Sequence, residues 1–245
     1  MRSYAKLNIF LKIIGTRGDY HEIISRFVLF EELYDEINFI KKTTDEFIKD
    51  DYIPENIIKK ARISLESLGF KNELDEFFTT HQVELIKKIP CGGGLGGGSS
   101  NAATFLNLAN EELNLKIPKE KLMKISKNIG ADVAFFVSEF KSANVSGVGE
   151  IVENFYDDVP NLGIITSDIF CSTPKVFREF RQNFCKFDLN LAKNLEQLSS
   201  NEILHSYQNY ELNDLLRPCL QLYPNLIVKQ NEFLSGSGST KFILK

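Results

Sequence analysis

The part of the sequence that most constrains the fold is the glycine-rich segment at 90–103, PCGGGLGGGSSNAA, which holds six of the chain's fifteen glycines. Glycine loses more backbone entropy on folding than any other residue, so a glycine cluster inside a folded domain needs a physical reason. A flexible linker does not need ordered elements directly on both sides. Here a strand pattern, HQVELIKKI, precedes the glycines, and a helical pattern follows them. We therefore expect an ordered loop between a strand and a helix.

This strand–loop–helix arrangement is typical of a phosphate-binding site. Glycines let consecutive backbone N–H groups converge on an anion, and a helix N-terminus adds the positive end of its dipole. The apolar residues that recur at helical spacing after the loop are Ala102, Leu106, Ala109 and Leu113. The residues expected to cap this helix are Ser99, Ser100 or Asn101.

Three common nucleotide loops do not fit the segment. Gly92, Gly94 and Gly97 match a dinucleotide-binding pattern, but that pattern needs an acidic residue at the end of a second strand about twenty residues further on, and here the region, LNLKIPKEK, enters another helix. A P-loop needs a lysine followed by Ser or Thr after the glycines, and none is present. A protein kinase needs H-R-D and D-F-G motifs, which the chain lacks.

Charge and cysteine usage narrow the class of protein further. The net charge of −4 gives no broad attraction for nucleic acid or an anionic membrane, so any phosphate must be held locally. The four cysteines show no C-x-x-C spacing, which argues against a zinc site and a disulfide framework and favours buried free thiols. The N-terminus resembles a strand rather than a signal peptide, and no apolar run could span a bilayer. We expect a cytoplasmic protein with no nucleic-acid or membrane partner and no protein metal site.

The remaining patterns predict an α+β chain in two lobes, with a boundary in the small, polar segment near 143–149. The expected domains are 1–145, which contains the glycine-rich segment, and 146–245. Alternating apolar residues predict a strand at 7–13 with one buried face. Helices are expected at 54–70 and 118–130, and ADVAFFVS at 131–138 is expected to be a strand. Beyond the boundary, we expect a strand at 162–170 and a helix at 173–180.

The glycine segment also resembles a known motif. Its pattern Pro-x-x-x-Gly-Leu-x-x-x-Ser-Ser-x-Ala is similar to the ATP-binding motif of the GHMP small-molecule kinases, the superfamily of galactokinase, homoserine kinase and mevalonate kinase. The extended glycine block is most similar to the branch that phosphorylates a cytidine-diphosphate-linked sugar alcohol in the non-mevalonate route to isoprenoid precursors. Five further segments match in order, namely AKLNIFL at 5–11, GADVAFF at 130–136, SGVGE at 146–150, STPKVF at 172–177 and SGSGS at 235–239.

This resemblance implies a two-lobed GHMP kinase fold, in which the N-terminal lobe is like domain 2 of ribosomal protein S5 and the C-terminal lobe is ferredoxin-like. It implies ATP and Mg²⁺ as cofactors and a small-molecule alcohol as the phosphate acceptor, with an ATP-binding domain at 1–145 and a substrate-binding domain at 146–245. The family's lysine and aspartate at the acceptor hydroxyl correspond here to Lys6 and Asp132. A nearby cation favours an ionised carboxylate, but whether Asp132 removes the proton or only orients the hydroxyl stays open, as does monomer or homodimer.

The resemblance also implies the binding residues. Those expected to bind ATP are Asn56, Lys87, Pro90, Cys91, Gly92, Gly93, Gly94, Leu95, Gly96, Gly97, Gly98, Ser99 and Ser100. Either Ser99 or Ser100 is expected close to Mg²⁺, and Asn56 and Lys87 near the adenosine. Those expected to bind the alcohol substrate are Asn8, Tyr20, His21, Asp132, Thr173 and Phe177. Tyr20, His21 and Phe177 would enclose its cytosine base, since aromatic rings suit a flat base.

Two alternatives stay open. One is a kinase of the homoserine or mevalonate type, against which the glycine–leucine block and the Tyr20–His21 pair argue. The other is a nucleotide-binding protein of the same fold that has lost catalysis, which the presence of Lys6, Asp132 and the two serines disfavours.

Overall fold

The computed structural model describes residues 1–49 and 56–245. Its strands are β1 (Arg2–Arg17), β2 (Tyr20–Lys41), β3 (Ile48–Lys49), β4 (His81–Ile86), β5 (Ser142–Gly147), β6 (Ile151–Asn154), β7 (Leu162–Ile165), β8 (Phe233–Leu234) and β9 (Lys241–Leu244). Its helices are α1 (Ile57–Leu65), α2 (Lys71–Thr80), α3 (Gly97–Glu112), α4 (Lys119–Ser126), α5 (Val133–Ser138), α6 (Thr173–Glu179), α7 (Leu189–Gln197), α8 (Ser200–Ser206), α9 (Asn209–Leu212) and α10 (Leu216–Leu222). Short π-helical segments, Glu66–Phe70 and Phe180–Phe184, follow α1 and α6. The mixed α and β content confirms the predicted class.

The chain folds into two compact units, each built from three segments. The first unit consists of Met1–Ala5, Glu31–Ile89 and Gly96–Glu139. The second unit consists of Lys6–Phe30, Pro90–Leu95 and Phe140–Lys245. Each of β1 and β2, and the glycine-rich segment, therefore contributes residues to both units. The boundary expected at residue 145 stays a prediction.

In the first unit, helices cover a small sheet. The C-terminal half of β2 pairs antiparallel with β4, with Glu36 opposite Ile86, and β3 pairs parallel to β4. Phe39 on β2 lies edge-on to Phe78 on α2 and to Phe105 on α3, with ring centroids 5.2 and 5.8 Å apart. Helix α3 packs against α1 and α5, which fixes the position of its N-terminus within this unit.

The second unit contains two sets of paired strands. The N-terminal half of β2 pairs antiparallel with β5, with Ile23 opposite Gly147, and β5 pairs with β6. A separate antiparallel sheet has the order β7-β9-β8. The core here joins β1, α6 and α10 through buried residues that include Leu11, Val176 and Cys219.

Three predictions from the sequence were wrong in part or in whole. The strand expected at 162–170 is present only as β7, which ends at Ile165. The strand at 7–13 is present, but its polar residues Lys6, Asn8 and Lys12 are buried as well, so both of its faces are covered. Residues 131–138 form helix α5 instead of a strand. A short apolar run has no periodicity that separates a buried strand from a buried helix, and every residue of α5 is buried.

The cysteines were also only partly predicted. All four are free thiols as expected, but Cys91 and Cys185 are exposed, whereas Cys171 and Cys219 are buried. Residues 54 and 55 of the predicted first helix lie outside the described residues, and α1 begins at Ile57 with Asn56 as its cap. Over residues 1–49 and 56–245, no helix is long and apolar enough to cross a membrane.

Candidate active site

The first half of the glycine-rich segment, residues 90–95, lies against the turn between β8 and β9 in the second unit. The Ser235 hydroxyl donates to the Gly94 carbonyl at 3.1 Å, and the Thr240 amide donates to the Gly93 carbonyl at 3.2 Å. The Cys171 amide donates to the Gly92 carbonyl at 3.4 Å. The loop is therefore ordered by main-chain hydrogen bonds, as the argument against a flexible linker requires.

Position 94 requires a glycine because the backbone of the β8–β9 turn packs directly against it. Its φ is +74°, a value that other residues rarely adopt. A β-carbon at this position would lie inside the contact distance of the Ser235 carbonyl oxygen and only 2.9 Å from the Gly238 nitrogen. This glycine therefore serves the packing of the protein on itself.

Lys6 and Asn8 on β1 are held rigidly beside this loop. The buried Lys6 ammonium donates to Asn8 Oδ1 and, at 2.9 Å, to the Gly94 carbonyl. Its Nζ also lies 4.7 Å from the centre of the Phe27 ring. Asn8 Nδ2 donates to the Ser25 hydroxyl at 3.0 Å. Because both side chains sit in fixed hydrogen bonds, their polar atoms are pre-organised within the second unit.

The second half of the glycine-rich segment opens helix α3 in the first unit. The helix begins at Gly97 and is capped by Gly96 with φ +69°, so the predicted cap at Ser99, Ser100 or Asn101 was wrong. The first backbone N–H groups of a helix have no acceptor inside the helix, and they carry the positive end of its dipole. A β-carbon on Gly98 would meet nothing closer than Ile57 Cγ2 at 3.6 Å. The packing of the protein therefore does not require a glycine there.

The two serines of α3 have different surroundings. Ser100 is buried, and its hydroxyl accepts a hydrogen bond from the Ser3 hydroxyl at 2.8 Å. Ser99 is half-buried, and its hydroxyl would lie 3.7 Å from a β-carbon on Gly130. Gly130 lies two residues before Asp132, so the first turn of α3 and the segment that carries Asp132 are neighbours within the first unit.

Asp132 occupies the residue before helix α5, with φ −83° and ψ −5°. Its side chain is half-buried. The next residue, Val133, begins a helix that is buried along its whole length. This position gives the carboxylate a fixed backbone origin at the start of a buried helix.

Asp35 is a central residue of the first unit that sequence reasoning missed. It is fully buried on β2 and accepts hydrogen bonds from the backbone amides of Lys88 at 2.7 Å and Ile89 at 2.8 Å. Asn101 on α3 donates to it at 2.8 Å, and Lys87 forms an ion pair with it. One carboxylate thus ties the segment before the glycines to the first turns of α3.

The two residues predicted near adenosine have structural partners. The Lys87 ammonium is bound to Asp35 and, at 3.1 Å, to Asn101 Oδ1, which leaves at most one of its three donors for a ligand. Asn56 is buried and caps α1, since its Oδ1 accepts from the Ile58 amide at 3.1 Å.

The residues predicted to bind the base lie together in the second unit. The rings of His21 and Phe177 have centroids 5.1 Å apart, and the Tyr20 side chain is exposed. Thr173 begins α6, and its hydroxyl accepts from the Ser237 hydroxyl at 2.7 Å. Burial, and then the positive charge of Arg181, lower the pKa of His21 below its usual value. The ring is therefore uncharged at neutral pH.

Comparison with known proteins identifies the class. The family model for the GHMP kinases N terminal domain matches residues 56–139, which include α3 and Asp132. A solved mevalonate kinase from Methanococcus jannaschii superposes with a TM-score of 0.59 at 14% identity over 100% of this chain and 89% of its own, a likeness of fold alone. The fold is that of the GHMP kinases, the class expected from the glycine motif.

Relatives identify the family within that class. A 4-diphosphocytidyl-2-C-methyl-D-erythritol kinase from Campylobacter jejuni subsp. jejuni is 45% identical, with 99% of this chain and 98% of the relative covered. One from Sulfurimonas denitrificans is 42% identical over 100% of this chain and 96% of its own length. A solved 4-(cytidine 5'-diphospho)-2C-methyl-D-erythritol kinase gives a TM-score of 0.76 at 26% identity, with coverage of 100% and 89%. The chain belongs to the family of 4-diphosphocytidyl-2-C-methyl-D-erythritol kinases. It is a small-molecule kinase that uses ATP as phosphate donor.

Proposed function

We propose that this protein transfers the γ-phosphate of ATP to the 2-hydroxyl of 4-diphosphocytidyl-2-C-methyl-D-erythritol, giving the 2-phosphate and ADP. The observation that carries the proposal is an identity of 45% to a relative of that name across 99% of the chain. Fold likeness alone would not choose a substrate, because GHMP kinases of several substrates share this fold. The cytoplasmic location and the absence of a nucleic-acid partner, expected from composition, stay predictions.

The phosphates of ATP are assigned to the glycine-rich segment and the N-terminus of α3. N–H groups at the helix N-terminus and the helix dipole favour an anion there, and Gly98 is exposed and has no side chain to keep a ligand from its backbone. The other residues of the segment, from Pro90 to Ser100, shape this loop. Asn56 and Lys87 are assigned to the adenosine end, where Lys87 lies beside Gly97, since a β-carbon there would be 3.3 Å from its Nζ.

Mg²⁺ is assigned to the phosphates themselves. Within the described residues, no group of three or more His, Cys, Asp or Glu side chains could hold a metal ion. Mg²⁺ commonly keeps several waters and binds through substrate phosphates rather than through an all-protein cage. Of the two candidate serines, Ser99 suits this role better, because the Ser100 hydroxyl is already bound to Ser3. The ion would neutralise charge on the transferred phosphate.

Lys6 and Asp132 are assigned to the acceptor hydroxyl, as the family resemblance implies. Phosphoryl transfer needs an oriented hydroxyl and a group that accepts its proton. The Asp132 carboxylate can accept that proton or a hydrogen bond from the hydroxyl. Lys6, fixed by Asn8 and Gly94, supplies a cation that offsets negative charge as transfer proceeds.

The cytosine end of the substrate is assigned to the second unit. The neighbouring rings of His21 and Phe177, with the exposed ring of Tyr20, offer aromatic faces on which a base can stack. Asn8 and Thr173 supply polar groups for the rest of the substrate. The uncharged His21 imidazole can read the polar edge of the base by hydrogen bonding.

The test is a phosphoryl-transfer assay on the purified full-length protein with ATP and Mg²⁺. We expect the cytidine-diphosphate substrate to be phosphorylated with a kcat/KM at least 100-fold above those for homoserine and mevalonate, the ratio expected when buried polar groups select a substrate. Phosphorus NMR identifies the position of the new phosphate. Preference for homoserine or mevalonate contradicts the proposal, as does ATP binding with no transfer to any of the three.

Asp132→Asn tests the assigned catalytic role. The amide keeps the size of the side chain but cannot accept the proton, so we expect kcat to fall by about a hundredfold or more while the Kd for ATP changes little. Glu139→Gln, at an exposed carboxylate just after the same short helix, is the control and should leave kcat unchanged. A D132N enzyme with wild-type kcat contradicts the assignment.

A further inference from the structure

Arg181 makes an unusual set of contacts to the turn that carries His21. It lies in the π-helical segment after α6, and its Nε donates to His21 Nε2 at 3.4 Å. Its Nη2 donates to the backbone carbonyls of Gly18 at 3.2 Å and Tyr20 at 3.3 Å. A single guanidinium therefore holds both the histidine ring and the backbone of the turn before it.

This contact decides where the imidazole proton lies. A guanidinium has only donors and no acceptor, so His21 Nε2 must accept from Arg181 with its lone pair. The ring is uncharged at neutral pH, since burial and Arg181 both lower its pKa, and its one proton is therefore on Nδ1. Among the residues that the structure describes, Nδ1 has no hydrogen-bond partner.

The ring itself has little freedom to turn. His21 is buried, and it packs against Phe177 and Phe180, with ring centroids 5.1 and 6.0 Å away. A flip that exchanged the two nitrogens would place the Nδ1 proton against the Arg181 donors. The result is a fixed N–H donor in the group of residues assigned to the base.

We propose that Arg181 is a positioning residue that sets base specificity: by occupying His21 Nε2, it makes Nδ1 a hydrogen-bond donor that fits cytosine and rejects uracil. This inference rests on the proposed function of the same site. The two bases differ at N3, which is an acceptor in cytosine and carries a hydrogen in uracil. The Nδ1–H of His21 facing N3 donates a hydrogen bond to cytosine. Facing uracil, it meets the N3–H donor and is left without an acceptor.

The position of the proton can be measured on the protein alone. The chain has three histidines, so ¹⁵N-labelled protein gives a small set of imidazole signals in a long-range ¹H–¹⁵N spectrum, and His21→Asn identifies those of His21. We expect the pattern of a neutral ring with Nδ1 protonated and Nε2 bare. A His21 ring protonated on Nε2 overturns the inference, whatever the substrate is.

The link to specificity is tested with Arg181→Met, which removes the donors and keeps an extended side chain. We expect the ratio of kcat/KM for the cytidine substrate to kcat/KM for its uridine analogue to fall about tenfold, the effect of one hydrogen bond. Arg178→Met is the matched control, because Arg178 lies one turn earlier, is exposed and carries the same charge. Its ratio should equal that of the wild type. Arg181→Gln, whose amide can accept from Nε2–H, replaces the methionine variant if that variant does not fold, with the same fall expected.

The outcomes separate this inference from the proposed function. If the wild type phosphorylates the cytidine substrate and R181M keeps the wild-type ratio, the role of Arg181 is refuted and the proposed function stands. If R181M and R178M lower the ratio equally, a general charge effect replaces the specific contact, and the inference is again wrong. If the wild type phosphorylates neither the cytidine substrate nor its uridine analogue, the proposed function fails. The NMR experiment still decides which nitrogen of His21 carries the proton.

Discussion

Two single alanine substitutions in the glycine-rich segment distinguish a glycine required for packing from a glycine required for ligand binding. Gly94 has φ +74°, and a β-carbon there would lie 2.9 Å from the Gly238 nitrogen and closer still to the Ser235 carbonyl oxygen. Gly98 is helical, and a β-carbon there would lie 3.6 Å from its nearest neighbour. The first substitution should therefore damage the fold, and the second should not.

The size of each effect follows from these contacts. Alanine in the left-handed region costs roughly 1–2 kcal/mol, and relieving the overlap with the β8–β9 turn costs about 1–3 kcal/mol more. For Gly94→Ala we expect the free energy of unfolding to fall by about 2–5 kcal/mol, which lowers Tm by roughly 5–15 °C for a chain of this size. Gly98→Ala improves helix propensity by up to about 1 kcal/mol, so its Tm should be unchanged or slightly higher.

Binding of ATP should be affected by Gly98→Ala without any loss of stability. A methyl group on Gly98 occupies the space that the proposed phosphate uses, so the KM for ATP should rise about tenfold although the protein is as stable as the wild type. Differential scanning calorimetry with and without ATP, together with steady-state kinetics, measures both quantities. The reasoning is refuted if Gly94→Ala melts at the wild-type temperature, or if Gly98→Ala binds ATP as the wild type does.

Three further predictions concern other residues. Asp35→Asn leaves the Lys87 ammonium without its buried counter-charge, so urea denaturation should show a loss of about 3–5 kcal/mol; a loss below 1 kcal/mol would contradict the role given to Asp35. Phe177→Ala should raise the KM for the cytidine substrate about tenfold through lost stacking and leave that for ATP unchanged, and an equal rise in both would argue against the base site. Because the pKa of His21 is lowered in the folded protein, the unfolded chain binds the extra proton, and stability falls as pH drops below about 6.5. His21→Asn should flatten that part of the pH–stability curve, and an unchanged curve would show that His21 does not contribute.

The sequence predicted the glycine-rich segment well because its physical constraints are local. Clustered glycines between a strand pattern and a helix pattern can form few structures other than an ordered turn at a helix N-terminus. The exact start of α3 could not be predicted in the same way. Serine and asparagine are favoured caps, but Gly96 adopts a positive φ that lets the helix begin three residues before Ser100.

The partners of buried polar residues were beyond sequence reasoning because they depend on tertiary contacts. Nothing near Lys87 indicates that Asp35, 52 residues earlier in the chain, would take up its charge. Arg181 was missed for the same reason, since its contact with His21 spans 160 residues. Two lobes were predicted, but the three segments that make up each unit were not, because β1 and β2 show no break where they pass from one unit to the other.

These contacts explain how a chain of net charge −4 can bind two polyanions. Its lysines near the glycine-rich segment are not free cations: Lys87 is paired with Asp35, and Lys6 is held by Asn8 and the Gly94 carbonyl. A surface cation attracts every anion, whereas main-chain N–H groups at a helix N-terminus act only at close range and in one direction. The proposed site therefore relies on geometry for phosphate recognition and on Mg²⁺ carried with the nucleotide for charge. In the proposed site no P-loop lysine is needed after the glycines, because the positions next to α3 are glycines that a phosphate can approach.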